Sequence, residues 1–354
     1  MKNLKIILTG SGAPAWPYIF KNLKKNNERD IEIIGTDIQS RTAGSALAKK
    51  HYIVPKGSDP EYVKCLLKIC KTEKPDIIFP VTDPELLPLA KNIDNFTELG
   101  VKVLVSNYSQ LKIAGNKARL YEFLRKNNIP HPKMVVVNSL QEFKDAVYNL
   151  GYPKKPVCFK PGFAWGSRGF RVIREDVDRL QLLLNQKPDS TLITLNESIN
   201  ILEKAVDFPE LIVMEYLPGD EYSVDMLLKN GESLLTVPRI RNIIKQGITF
   251  EGQISLNKEI IRISELIANK TKLDYNIGMQ FKMSEKNEPM LLEINPRIQG
   301  TSVLLCGAGV NIPYMAIKLI LDEEIPKLSV KDKIFMTRYW EEIFFDEGGS
   351  SYTL

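Results

Sequence analysis

Oxygen-bearing side chains stand close together on two predicted strands near residue 290. Glu293 and Asn295 lie two residues apart in an apolar run, so both point to the same face of their strand. Gln280 lies on the preceding predicted strand and can stand beside them across the 277–295 hairpin. Carboxylate and amide oxygens without His or Cys suit Mg²⁺, which keeps waters and takes further ligands from phosphates. These residues are predicted to form a magnesium site.

A fixed cation follows the same strand. Arg297 is expected two residues beyond Asn295 on the same face, where a guanidinium suits a transferring phosphoryl group. The alternative is a plain solvated strand face. Apolar neighbours that would pack the opposite side, and the Pro-Arg pair at 296–297, disfavour that alternative.

A glycine-containing loop follows another predicted strand. The strand at 157–160 ends at Lys160, and the loop at 162–169 contains Gly166, Ser167 and Gly169. Glycines let backbone N–H groups approach phosphate oxygens, and Lys160 adds a point charge. The spacing is not that of a Walker loop, and a simple hairpin turn is the alternative.

An apolar strand at 211–216 leads into a Pro-Gly turn and acidic residues. Glu215, Tyr216 and Leu217 precede the turn, and Glu221 follows it. This pattern fits a plain hairpin. It fits equally a slot in which backbone groups read the edge of a base and a carboxylate accepts ribose hydroxyls.

Two arginines mark a substrate side. Arg239 and Arg241 share one strand face, and paired guanidinium groups suit a carboxylate or phosphate; surface charge is the alternative. Residues 246–252 are interpreted as a mobile loop beside them. Gly300 and Thr301 open a predicted helix whose N-terminus can stabilise an anion.

The first 110 or so residues have a strand–helix rhythm. The apolar runs at 4–8 and 31–35 flank a glycine turn and a helical pattern, which predicts a βαβ unit and a parallel sheet. The Gly10-Ser11-Gly12 turn and Asp37 also fit a dinucleotide site. We favour a tight turn, because two prolines crowd the helix start.

The rest of the chain mixes helices and strands. Residues 303–321 are predicted as two short buried helices rather than a membrane span, because glycines, Asn311 and Pro313 interrupt them. Further helices are predicted at 59–72, 84–92, 116–128, 139–150 and 257–271 and over most of 174–207, with a break at 187–190; further strands are predicted at 76–80, 101–105, 134–137, 222–228, 233–238 and 277–282.

Composition excludes several classes of protein. The 354 residues are 44% hydrophobic and 26% charged, as in globular proteins of two or three domains. The net charge of +5 is spread along the chain, which argues against nucleic-acid binding. Four cysteines without a CxxC pair and two histidines disfavour zinc and Ser-His or Cys-His catalysis. The N-terminus lacks a signal-type apolar region, so we expect a cytoplasmic protein.

In this order, these segments resemble the ATP-grasp superfamily over nearly the whole chain. The resemblance is greatest to the carboxylate-amine ligases related to the carbamoyl-phosphate synthase large chain. It rests on Asn116-Lys117, Phe159-Lys160-Pro161, the 162–169 loop, Met214-Glu215-Tyr216-Leu217, Glu221, Gln280, Glu293-Ile294-Asn295-Pro296-Arg297, Gly35-Thr36-Asp37 and residues 79–85.

The resemblance implies an α/β fold with two main parts. A doubly wound parallel-sheet (pre-ATP-grasp) domain is expected at 1–112. A two-lobed α+β ATP-grasp domain is expected at 113–325, with a mobile lid lobe at about 131–215. A C-terminal extension at 326–354 is expected to pack on it.

The resemblance also implies roles for individual residues. Lys117 and Lys160 would contact the phosphates of ATP, and the 162–169 loop would close over them. The backbone of Glu215 and Leu217 would read adenine, and Glu221 would hold the ribose. Gln280, Glu293 and Asn295 would bind two Mg²⁺ (or Mn²⁺) ions. From the residues themselves we further expect Arg297, Lys160 and Arg241 to be catalytic, and Arg239, Arg241, Gly300 and Thr301 to bind substrate.

The implied reaction is ATP-dependent ligation of a carboxylate to an amine or a thiol. An acyl phosphate would form, and ADP and phosphate would be released. The alternatives are another ATP-grasp outcome, such as carboxylation or a kinase-like reaction, and a non-catalytic ATP-binding regulatory protein. The expected partners are small-molecule carboxylates and amines, without nucleic acid or membrane. Dimerisation is common in such folds, so a homodimer is a further expectation.

Overall fold

The computed structural model describes residues 1–162, 169–185, 191–245 and 247–353. It begins with a parallel sheet in the order β3-β2-β1-β4-β5. The elements are β1 (Leu4–Thr9), α1 (Trp16–Lys24), β2 (Ile31–Asp37), α2 (Ala43–Leu47), β3 (Lys50–Ile53), α3 (Tyr62–Glu73), β4 (Ile77–Phe79), α4 (Asp83–Lys91), α5 (Ile93–Thr97) and β5 (Lys102–Val103). Strands β1, β2 and β4 are apolar and almost entirely buried, as parallel strands covered on both faces require. The predicted doubly wound sheet is confirmed, with β3 as an additional edge strand.

A second sheet follows two linking helices. The helices are α6 (Tyr108–Ala114) and α7 (Lys117–Lys126). The sheet has the order β6-β10-β7-β8-β9. Its elements are β6 (Met134–Val137), α8 (Leu140–Asn149), β7 (Val157–Pro161), β8 (Arg171–Ile173), α9 (Arg179–Asn185), β9 (Leu192–Ile193), α10 (Leu195–Leu202) and β10 (Leu211–Glu215). The predicted helix break at 187–190 lies outside the described residues.

The third sheet has six strands in the order β15-β14-β11-β12-β13-β16. Its elements are β11 (Glu221–Lys229), β12 (Glu232–Lys245), β13 (Ile248–Ile254), α11 (Lys258–Thr271), β14 (Tyr275–Met283), β15 (Pro289–Asn295) and β16 (Phe335–Thr337). The prediction of a mobile loop at 246–252 is wrong for residues 248–252, which belong to β13 and pair with β12. Residue 246 lies outside the described residues. Ile248, Phe250 and Ile254 alternate with polar residues, which is the period of a half-buried strand.

The chain then forms α12 (Val303–Gly307) and α13 (Ile312–Ile320) and ends in the hairpin of β17 (Phe344–Phe345) and β18 (Ser351–Tyr352). The two predicted short helices are confirmed. Asn311 caps α13 by accepting a hydrogen bond from the Tyr314 N–H, and Pro313 occupies its first turn. Within the described ranges, no helix is long and apolar enough to cross a membrane.

Candidate functional site

One face of the six-stranded sheet presents a row of polar side chains across four strands. Glu293 is directly opposite Gln280, Gln280 is opposite Ser223, and Ser223 is opposite Arg239. Residues directly opposite each other point to the same face. Neighbouring strands lie about 4.8 Å apart, so the row places about 14 Å between the Cα atoms of Glu293 and Arg239. A carboxylate and a guanidinium therefore stand at the two ends of one row.

The carboxylate end holds the oxygen ligands expected for a metal. The register places Gln280 beside Glu293, as the hairpin predicts. Asn295 donates from Nδ2 to Glu293 Oε1 over 3.2 Å. The described part of the chain contains no cluster of three or more His, Cys, Asp or Glu side chains, so a cation here would meet one carboxylate and two amides. This donor set fits Mg²⁺ that completes its shell with phosphate and water.

Two lysines meet above this end of the sheet. Lys160, near the end of β7, lies close enough to Lys117, the first residue of α7, for the two side chains to interact electrostatically. Burial and the neighbouring Lys117 charge lower the pKa of Lys160 to about 8, and Glu293 opposes the shift. Two adjacent ammonium groups at a helix N-terminus form a strong attractor for anionic phosphate.

The glycine loop is described at its two ends. Gly162 donates its N–H to the Glu210 carbonyl over 3.0 Å. Gly169 has a φ of +71°, and a Cβ there would lie 2.6 Å from the Pro161 ring, so a glycine is required. Gly166 and Ser167 lie outside the described residues.

The expected base-reading segment is tied to a neighbouring strand. The Glu215 N–H donates to the Lys133 carbonyl over 3.0 Å, and the Glu215 carboxylate accepts the Lys133 N–H over 2.8 Å. Tyr216 is half-buried and Leu217 is buried. The Glu215 N–H is therefore already used within the sheet.

The two predicted substrate arginines have different surroundings. Arg241 pairs with the Glu221 carboxylate and donates to Thr249 Oγ1 (2.9 Å) and to the Gly247 carbonyl (2.7 Å). Burial lowers the pKa of Arg241, and the charge of Glu221 opposes this. Arg241 therefore joins the substrate side to the residue expected to hold the ribose.

Arg239 is 1% exposed and donates from Nε to Asp225 Oδ2 over 2.7 Å. Asp225 also accepts from Gln299 Nε2 at 3.1 Å and from the Ser302 hydroxyl at 2.5 Å. The Nη1 atom of Arg239 is buried and has no hydrogen-bond partner among the described residues. A buried donor of this kind is costly unless a ligand completes it.

Arg297 does not lie on the strand face as predicted. β15 ends at Asn295, and the Arg297 N–H folds back to the Asn295 carbonyl over 2.7 Å, because Pro296 cannot continue the ladder. Its guanidinium forms a two-point ion pair with Asp83 of the N-terminal part. Burial opposes the charge of Arg297, but Asp83 outweighs it and the pKa of Arg297 is raised.

Sequence reasoning missed Arg338. This residue follows β16, and its Nη2 donates to the Gly300 carbonyl at 2.5 Å while its Nε donates to the Thr249 carbonyl at 2.9 Å. It supports the Gly300-Thr301 turn from the C-terminal segment. No sequence spacing links it to the site.

A cavity of about 980 Å³ lies between many of these groups. It is not lined by the described residues Lys160, Gly169, Glu215, Tyr216, Leu217, Glu221 and Arg338. Ala13, Thr82 and Asp83 line it from the N-terminal part. The other polar or predicted site residues that line it are Ser58, Asn116, Lys117, Glu210, Ser223, Arg239, Arg241, Thr249, Gln280, Glu293, Asn295, Arg297, Gln299, Gly300 and Thr301. The three sheets therefore contribute to one concave site.

Two family models match this chain. Residues 207–343 match "ATP-grasp in the biosynthetic pathway with Ter operon", and residues 6–104 match "PylC-like, N-terminal domain". The chain is also similar to carbamoyl phosphate synthase large chains. That of Clostridium acetobutylicum is 25% identical over 75% of this chain and 24% of its own length, and that of Clostridium perfringens is 22% identical over 92% and 30%. The chain thus spans about a quarter of the length of these relatives.

Solved structures show the same fold. N5-carboxyaminoimidazole synthetase from Staphylococcus aureus, complexed with ADP, has a TM-score of 0.66 at 14% identity, covering 92% of this chain and 79% of that one. The biotin carboxylase domain of Hydrogenobacter thermophilus 2-oxoglutarate carboxylase, in complex with MgADP, has a TM-score of 0.66 at 18% sequence identity, and the match covers 95% of this chain and 73% of that one. Phosphoribosylglycinamide synthetase from Anaerococcus prevotii has a TM-score of 0.61 at 17% sequence identity, and the match covers 91% of this chain and 76% of that one. The predicted resemblance to ATP-grasp proteins is confirmed.

Proposed function

We propose that this chain, which has the ATP-grasp fold behind a PylC-like N-terminal part, is an ATP-dependent carboxylate-amine ligase that releases ADP and phosphate. The observation that carries the proposal is a cavity lined by Lys117 and by the oxygen ligands Gln280, Glu293 and Asn295. Lys160 lies close enough for the charges of Lys117 and Glu293 to act on it. Two cations without a covalent nucleophile suit phosphoryl transfer, which needs positioning and charge neutralisation.

The nucleotide would lie with its phosphates on Lys117 and Lys160. Gln280, Glu293 and Asn295 would hold two Mg²⁺ ions, which neutralise phosphate charge when bound. The Gly166-Ser167 segment and Gly169 would cover the phosphates. The Glu215 carbonyl, Tyr216 and the Leu217 N–H would meet adenine, and Glu221, oriented by Arg241, would accept the ribose hydroxyls.

The acyl substrate would lie toward Arg239. Its carboxylate oxygen attacks the γ-phosphorus, and the bond from that phosphorus to the bridging oxygen of ADP breaks. An acyl phosphate and ADP result. The amine then attacks the acyl carbon, loses a proton and expels phosphate. Arg297 would neutralise charge on the transferring group, and the Gly300-Thr301 turn would contact the acyl phosphate.

Nucleotide product analysis tests this function. The protein is incubated with Mg²⁺, ATP and pools of amino acids, small peptides and dicarboxylates, and ADP, AMP, phosphate and pyrophosphate are quantified. Pool-dependent ADP and phosphate that vanish in Glu293→Ala support a ligase. The matched control is Glu288→Ala, an exposed carboxylate at the turn of the same hairpin. Release of AMP and pyrophosphate would indicate adenylation and overturn the proposal.

We also propose the division into 1–112, 113–325 with a lid at about 131–215, and 326–354. The pairing of β16 with β13, which joins the C-terminal segment to the third sheet, supports this arrangement. Limited proteolysis with and without MgATP would test the lid, since closure should protect sites within 131–215. Light scattering would test the proposed homodimer.

A further inference from the structure

The guanidinium of Arg297 is held by a carboxylate from the N-terminal part of the chain. We infer that Asp83 is a positioning residue for the phosphoryl-transfer step: it fixes Arg297 so that its remaining donors face the transferring phosphoryl group. The inference rests on the proposed function and adds to it a role for the N-terminal sheet.

The geometry fixes Arg297 at three points. Nε donates to Asp83 Oδ1 over 2.8 Å, Nη2 donates to Asp83 Oδ2 over 2.6 Å, and Nη1 donates to the Ile298 carbonyl over 3.0 Å. A guanidinium has five N–H donors, so one remains on each Nη atom. Arg297 and Asp83 both line the cavity, and their side chains are 20% and 23% exposed. The two remaining donors are therefore the ones available to a ligand.

Asp83 is itself rigidly placed by its neighbour Glu85. The Glu85 carboxylate is buried and accepts hydrogen bonds from Thr9 Oγ1 (2.7 Å), the Val81 N–H (2.9 Å) and the Thr82 N–H (2.6 Å). The Tyr62 hydroxyl donates to its other oxygen at 2.5 Å. These bonds tie the turn before α4 to β1 and α3, so a buried network holds the backbone from which the Asp83 side chain extends.

The location of the Arg297–Asp83 pair favours a role in positioning Arg297 over a role limited to holding the N-terminal part against the third sheet. Arg297 lies two residues after Asn295, a proposed metal ligand, in the segment that connects the end of β15 to the Gly300-Thr301 turn. A long flexible side chain here would sample many rotamers without a partner. A bidentate carboxylate selects one of them before substrate binds, which is the general route to a preorganised site.

Steady-state kinetics of ADP release test the role. With the acid pool that gives the highest wild-type rate, Asp83→Asn is expected to lower kcat about 10- to 100-fold while KM for ATP stays within about twofold. Arg297→Met should lower kcat by at least the same factor. The double variant should lose no more than Arg297→Met, because the two residues act as one unit. Asp94→Asn, the same change at an exposed position of α5, is the control.

The charge-swapped variant D83R/R297D separates positioning from cohesion. It keeps an ion pair between positions 83 and 297, so its melting temperature should stay close to that of the wild type. Its kcat should stay low, because the guanidinium now extends from position 83 and not from position 297. Recovery of kcat by the swap, or an Asp83→Asn kcat within about twofold of wild type, overturns the inference alone. A wild type that releases no ADP with any pool overturns the proposed function and this inference together.

Discussion

Lys117→Met tests how the paired lysines bind phosphate. In the protein without nucleotide, Lys160 has a pKa of about 8, lowered by burial and by the charge of Lys117. Above that pH Lys160 loses its proton, and a bound phosphate must draw the proton back from solvent. Affinity for MgADP in the wild type should therefore fall as the pH rises through 8.

The size of the effect follows from the pKa. With a pKa of about 8, about one tenth of Lys160 is charged at pH 9, so Kd should rise about tenfold between pH 7 and pH 9. Lys117→Met removes the neighbouring charge but not the burial, so the pKa of Lys160 rises toward its ordinary value of 10.5. Kd of the variant should be higher at pH 7 and should rise by less than the tenfold of the wild type between pH 7 and pH 9.

Isothermal titration of MgADP at pH 7, 8 and 9, in two buffers of different ionisation enthalpy, measures both Kd and proton uptake. The wild type should take up about 0.9 proton at pH 9 and about 0.1 proton at pH 7. Lys126→Met, on an exposed face of the same helix, is the matched control and should behave as the wild type. A wild-type Kd that is flat from pH 7 to 9, or the same slope in Lys117→Met, would refute the reasoning.

Three further predictions concern the buried charges. Lys160→Met should stabilise the fold at pH 7 by at most about 3 kcal/mol, since it removes a buried ammonium. Between pH 8 and 10.5 the unfolded state binds more protons than the folded state, so wild-type stability rises with pH and the stability advantage of the variant shrinks. Urea unfolding of both proteins at pH 7 and 9 would show this. Arg241→Met and Glu221→Gln should each weaken MgADP binding about tenfold in titrations, without additivity in the double variant, because they form one ion pair. Asp225→Asn should lower the free energy of unfolding by about 3 to 5 kcal/mol in urea, since it leaves Arg239 buried without its counter-charge; a loss below about 1 kcal/mol would contradict this pairing.

Local patterns predicted the elements that carry the expected ligands. Period-two alternation placed Glu293 and Asn295 on one strand face, and the hairpin between them and Gln280 follows from two apolar runs with a polar turn. The glycine and proline positions at 309–313 predicted the end of α12 and the start of α13. Short edge strands such as β3 and β9 have too few residues to show a period, so they were missed.

Contacts between distant segments could not be predicted. Arg297 and Asp83 are 214 residues apart, and their pairing depends on how the first and third sheets pack. The Arg241–Glu221 pair depends on the register of β11 and β12. Sequence spacing alone therefore showed which residues carry charge but not which charges neutralise each other.

The positions in the row from Glu293 to Arg239 are spaced by the backbone. The hydrogen-bond ladder between the strands sets the distances between the Cα atoms, so replacing a side chain changes the chemical group at a position and leaves the position unchanged. An enzyme of this design would change the length of the acid it accepts in steps: one strand sideways, about 4.8 Å, or two residues along a strand, about 6.8 Å. Substrate length would then vary among relatives in discrete jumps rather than by gradual drift.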